Sequence, residues 1–177
     1  MKLAARTTIA VIALALSSGL YAADKKASDS KLSSNDRHFV TEAAQDGMAE
    51  VELGKIAQQN GSRDDVKQFG QRMVEDHSKA NQELGAIVSK LGGTLPPDPG
   101  KKNLGEVKKM SKLTGDKFDR EYAENMVKDH EKDVSAFEKQ AKKGDSEELK
   151  QFAAKTLPIL QEHLKMARAM KAAAKKK

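Results

Sequence analysis

The stretch Met73-Val74-Glu75-Asp76-His77-Ser78-Lys79 returns, little changed, as Met126-Val127-Lys128-Asp129-His130-Glu131-Lys132. Met, Val, Asp, His and Lys recur in register, and a shorter echo, Glu162-His163-Leu164-Lys165, follows near the C-terminus. Each copy sits in an apolar pattern with helical steps of three and four. Around the first the face reads Val66, Phe69, Met73, His77, Ala80, Leu84, Ile87 and Leu91. Around the second it reads Phe118, Tyr122, Met126, His130, Val134, Phe137 and Ala141. The third runs Leu149, Phe152, Ala153, Leu157, Leu160, His163, Leu164, Ala167 and Met170. Three helices are predicted, each with a histidine on its apolar face.

Upstream, Phe39, Ala43, Ala49, Leu53, Ile56 and Ala57 predict a further helix, opened by Ser33, Ser34 or Asn35 as N-cap and stopped by Asn60-Gly61. Ser62 is the expected N-cap of the next helix, with Asp64 and Asp65 in its first turn, and Gly92-Gly93 ends it. Pro96, Pro97 and Pro99 forbid helix over 94–100, and 104–113 reads as a short helix. The next long helix starts near Thr114 and stops at Gly144. Asp145 with Glu148 reads as a capping box for the last, which should kink at Pro158 and free the Ala154 carbonyl. Four amphipathic helices joined short–long–short describe an all-α four-helix bundle, its long connection lying between helices two and three. That connection is long enough to travel a bundle about 45 Å in length.

Residues 1–22 have the order of a signal peptide: Lys2 and Arg6, then an apolar run, then small residues ending at Ala22. A retained N-terminal anchor is the alternative. Residues 23–34 read as a disordered leader, 35–172 as the bundle domain and 173–177 as a basic tail. The expected location is therefore the periplasm, with no transmembrane anchor after processing. The chain has no cysteine, which excludes disulfides, thiolate metal sites and covalent c-type haem. Loss of Lys2 and Arg6 takes the net charge from +6 to +4, with basic and acidic residues interleaved. Together with no Trp, two Tyr and five Phe, this argues against a nucleic-acid partner. The lysine tail offers at most a weak contact with an anionic membrane surface, and the sequence leaves room for a homo-oligomer.

His77 lies about 16 residues from Gly61, and His130 and His163 about 14 and 19 from Gly144, so all three fall near mid-bundle. Glu42, Asp46 and Glu50 occupy the matching level of the first helix. One reading is a metal site: His77, His130 and His163 with Glu50 or Asp46, a donor set for a divalent transition metal such as Fe, Zn, Cu or Mn. Asp76, Asp129 and Glu162 cannot share a face with the histidine each precedes, but each is placed to orient a histidine on a neighbouring helix. Met73 and Met126, four residues before their histidines, add a thioether option. The other reading is a metal-free polar layer that fixes helix register, with the methionines as core filler. Val74, Val127 and Leu160 stand three residues before the histidines, so the Glu-x-x-His of di-iron bundles is absent. No nucleophile, phosphate loop or cofactor fingerprint points to an enzyme; an oxidase at a non-standard metal centre is the remaining enzymatic reading.

Phe39-Val-x-x-Ala-Ala-x-x-Gly47-Met-Ala-Glu50-Val-Glu-Leu-Gly54 followed by Met73-Val-x-Asp-His77 resembles the bacterial DUF4142 family. Phe118-Asp-Arg-Glu-Tyr122, Met126-Val-Lys-Asp-His130-Glu-Lys-Asp and Phe152-Ala-Ala-Lys-Thr-Leu-Pro158 extend the resemblance from about Asn35 to Met170. It implies an exported, ferritin-like four-helix protein, often labelled an outer-membrane protein, with no established activity. The mature sequence has neither a spanning helix nor alternating barrel strands to match that label. The expectation is an exported bundle that is metal-binding or stress-linked rather than enzymatic.

Overall fold

The computed structural model describes residues 31–174; the expected signal peptide, most of the leader and the last three residues lie outside them. Among the described residues there are five helices and no strand: α1 (Ser34–Asn60), α2 (Asp64–Lys90), α3 (Gly100–Met110), α4 (Gly115–Lys143) and α5 (Glu147–Ala174). None is long and apolar enough to cross a membrane. Ser33 caps α1 by accepting from the Asp36 amide, and Gly92 (φ 76°) supplies the left-handed residue that ends α2. The short helix predicted over 104–113 starts earlier, at Gly100 directly after Pro99, because proline tolerates the position at a helix start. α5 runs through Pro158 as one helix; Pro158 and Ala154 lie on the exposed side, where a freed carbonyl meets water.

α1 packs along α2 and α4 along α5, forming two hairpins that lie side by side, α1 next to α4 and α2 next to α5. Two buried carboxylates clamp the hairpins together. Asp119, in the second turn of α4, accepts the Ser62 and Arg63 amides (both 3.1 Å) and the Ser62 hydroxyl (2.5 Å) from the α1–α2 turn. Asp36, in the first turn of α1, accepts the Asp145 and Ser146 amides (3.2 and 2.8 Å) and the Gln140 amide group (2.7 Å) at the α4–α5 turn. Two expected caps are corrected by this arrangement. Ser62 does not cap α2, since its hydroxyl is committed to Asp119, and Arg63 holds the cap position without a side-chain bond. Ser146, not Asp145, caps α5, its oxygen accepting from the Leu149 amide.

The clamps fix direction. The start of α4 lies where α1 ends, so α1 and α4 are antiparallel while α2 and α4 point the same way. The link between α2 and α4 must then travel the length of the bundle. It carries α3 against α1 and α4, and Asn60 ties its end by donating to the Leu113 carbonyl (2.8 Å). This is the ferritin-like crossover.

The core divides in two. One apolar cluster, with Phe69, Met73, Phe118, Tyr122 and Met126, fills the end at the α1–α2 turn. The other, with Phe39, Leu84, Phe137, Phe152 and Leu160, fills the end at the α4–α5 turn. Leu32 belongs to the second, and the Lys31 amide bonds the Leu91 carbonyl, so the packed chain begins ahead of α1. Gly54 and Gly70 let α1 and α2 approach backbone to backbone: a Cβ on Gly54 would stand 2.5 Å from the Gly70 oxygen.

The hairpins also repeat in sequence. One interval separates Asp36 from Asp119, Phe39 from Tyr122, Glu50 from Asp133, Gly61 from Gly144 and Phe69 from Phe152. Asp36→Ala and Asp119→Ala each strand two or more donors, at about 1–3 kcal/mol per buried group. Each variant is therefore expected to lose about 2–4 kcal/mol by denaturant titration, against less than about 1.5 kcal/mol for Ser62→Ala, which removes only one hydroxyl, shared between Asp119 and Asp116.

Candidate metal centre

Between the two apolar clusters α2, α4 and α5 each carry one imidazole to the same level. His77, His130 and His163 are 6%, 0% and 0% exposed, and one ring nitrogen of each lies within 4.8 Å of the others. Phe69 closes the trio on one side, its ring edge-on to His130 and His163 at about 6 Å between centroids.

Outward bonds set the tautomers. His130 Nδ1 stands 3.0 Å from the Met126 carbonyl, which only an N–H can face, so Nδ1 donates and Nε2 keeps its lone pair. His163 Nε2 donates to Asp76 Oδ2 at 2.8 Å, leaving the lone pair on Nδ1. Those two lone-pair nitrogens face each other at 3.3 Å. A proton between them would require an imidazolium. Burial opposes that: it pushes His130 from 6.5 down to about 3, with His163 adding to the effect, and it lowers His163 despite the Asp76 bond. His77 Nε2 is buried with no partner, and burial followed by the two neighbouring histidines holds its pKa well below the usual range.

Glu50 reaches the trio from α1. It is 3% exposed; Oε2 lies 3.0 Å from His77 Nδ1 and Oε1 lies 3.4 Å from His130 Nδ1, both outside hydrogen-bond geometry. Burial, then Asp133, raises its pKa well above the carboxylate range. Among the described residues, the buried side-chain atoms without a hydrogen bond are the two Glu50 oxygens, His77 Nε2 and the Tyr122 hydroxyl. Three of these four atoms belong to Glu50 and His77, at the level of the trio. Burial, then the Glu50 charge, raises the Tyr122 phenol well above its ordinary range.

Of the residues singled out in the sequence, His77, His130, His163 and Glu50 come together. Asp46 does not touch them: its oxygens accept from Asn103 (2.8 Å) and Lys132 (2.9 Å) at the outer side of α1. Asp76 orients the histidine of a neighbouring helix, as its spacing suggested. Met73 and Met126 pack in the apolar cluster, and Met126 serves the centre through its carbonyl. The fourth histidine, His38, is exposed beside Glu42. Sequence reasoning missed Asp133, which is 6% exposed and acts on Glu50 electrostatically. The interval it shares with Asp119, counted from Glu50 and Asp36, was the available signal.

A family model described as a domain of unknown function, DUF4142, matches residues 21–170. The chain belongs to the DUF4142 family. No curated protein and no solved structure matches it. All four residues that meet at mid-bundle lie inside the matched span, so the centre is part of the DUF4142 domain.

The titrations of this DUF4142 centre oppose one another. Burial, then Asp46, raises Asp133 from 3.8 to about 8, so its folded-state pKa lies above its unfolded value. The stability it supports is whole below about pH 4 and is lost as pH rises through about 8. His130 has the reverse shift, so its contribution falls as pH drops from 6.5 towards about 3. In metal-free protein, Asp133→Asn should therefore raise the melting temperature over wild type by an amount that grows from pH 4 to pH 8 and then levels. Melting curves across that range check it; a constant offset would contradict the assignment.

Proposed function

We propose that this chain is an exported, non-enzymatic binder of a divalent transition metal, Fe, Zn, Cu or Mn, held by His77, His130 and His163 with Glu50 as the nearest carboxylate. The observation that carries the reading is the 3.3 Å approach of His130 Nε2 and His163 Nδ1 with their lone pairs opposed. In a metal-free polar layer, donors would face acceptors. Here two acceptors converge, and a third ring nitrogen, His77 Nε2, is buried without a partner. A cation among them turns this repulsion into ligation. The spacing also suits one: ligands at about 2.0–2.1 Å in a tetrahedron stand roughly 3.3–3.4 Å apart. The full spread of 4.8 Å leaves His77 a small rotation to make. Neutral imidazoles with a carboxylate suit borderline divalent ions, and Asp76 on His163 is the outer partner that fixes a ligand's tautomer.

Periplasmic export rests on the N-terminal sequence pattern and is tested by mass: protein from a periplasmic extract should begin after Ala22. For metal, protein purified from that extract should carry close to one equivalent by elemental analysis, and its melting temperature should fall on chelation. A metal present at a thousandfold over its Kd adds about 4 kcal/mol to the native state, worth roughly 8–16 °C in a domain of this size. His77→Ala should abolish both effects, and Asp76→Asn should weaken affinity about 10–100-fold. Sub-stoichiometric metal together with a chelator-insensitive melt would restore the polar-layer reading.

A further inference from the structure

The imidazole trio is buried, so a cation needs a way in. Two spaces with shared lining residues lie under the crossover, between α1, α3 and α4, and a third lies inside the bundle beside His77. The outermost, about 260 Å³, is bounded by Glu42, Gly100, Lys101 and Asn103. It shares Asp46 and Lys132 with a neck of about 20 Å³ where Glu50, Glu106, Asp129 and Asp133 converge. The neck shares Glu50 and Asp133 with an inner space, again about 20 Å³, that touches His77. A volume of 20 Å³ admits one water or one ion but no organic substrate.

The neck is rich in acids. Five carboxyl groups, those of Asp46, Glu50, Glu106, Asp129 and Asp133, line it with two lysines, Lys102 and Lys132, and Lys132 is paired with Asp46 and Glu42. An acidic surface by itself is ordinary. This one ends on Glu50, whose two oxygens are buried without a hydrogen bond and lie 3.0 and 3.4 Å from two of the imidazoles. The opposite approach, between α2 and α5, differs. Its space of about 90 Å³ reaches His77 and His163, but Ile159 and Leu160 line it, and its two carboxylates, Asp76 and Glu83, are matched by Lys79 and Lys155. That side lacks the carboxylate excess that would draw a cation from water.

We infer that the neck between α1, α3 and α4 is an outer cation site, through which a divalent metal is captured by Asp129, Asp133 and Glu106 and handed to the imidazoles by Glu50. The inference rests on the metal-binding reading above and assigns the crossover helix a task, since α3 supplies Glu106 and covers the opening.

The probe is Co²⁺ added to metal-free full-length protein in stopped flow, read by its visible ligand-field absorption on reaching the imidazoles. Asp129→Asn combined with Asp133→Asn should slow loading at least tenfold and flatten its dependence on salt. Glu106→Gln alone, on the surface helix, should slow it about threefold or more. In both, the equilibrium Kd should stay within about threefold of wild type, because the inner ligands are intact. Glu83→Gln, on the α2–α5 side, should load at the wild-type rate. Normal loading in the acidic variants, or slow loading in Glu83→Gln alone, overturns the route while leaving the metal centre standing. Absence of Co²⁺ absorption in the wild type overturns the centre and the route together.

Discussion

Reciprocal clamping by Asp36 and Asp119 is the constraint on which the rest depends. Each carboxylate sits near the start of one hairpin and accepts backbone amides from the turn of the other. Those amides belong to helix starts, where donors lack helical partners and the dipole favours an anion. The two clamps pin both ends of the bundle, so helices that differ in length and sequence are forced into one register. Without that register the imidazoles of α2, α4 and α5 would have no reason to share a level.

The shared level divides an otherwise apolar interior. Large buried side chains such as Phe69, Tyr122 and Phe152 each contribute roughly 1.5–3 kcal/mol on either side of it. The polar layer works against that gain: three imidazoles kept neutral by burial and the Glu50 carboxyl, whose pKa burial raises, are withdrawn from water. Such groups cost about 1–3 kcal/mol each when left unpaired. A bundle built only to be stable would place leucine there, so the layer's imbalance calls for a reason other than stability.

Helix periodicity and the glycine stops made the bundle, its long connection and the histidine faces readable, because burial of an apolar stripe is a property of one helix at a time. Depth was readable too, since rise per residue is fixed. What lay beyond reach depends on two helices at once. Ser62 reads as a cap until Asp119 competes for its hydroxyl, and Asp145 reads as one until Asp36 takes its amide. Asp46 and Glu50 are one helical turn apart, and only the position of α3, with Asn103, and of Lys132 on α4 turns the first outward. The repeat around His77 and His130 is conspicuous, yet it links α2 with α4, which are not counterparts in the fold; the interval that does relate the hairpins is spread over single residues.

That second interval has a consequence for the centre. Counted along it, Glu50 has a partner in Asp133, but His130 corresponds to Gly47, His163 to Ala80 and His77 to Leu160. The scaffold is a near-palindrome in space, whereas its contents are lopsided. Two identical hairpins joined across a dyad would have to carry matched sets of ligands or none. A tandem chain escapes that symmetry: one half keeps glycine and alanine where the other grows imidazoles. The result is a single off-axis pocket that no homodimer of half-length chains could make.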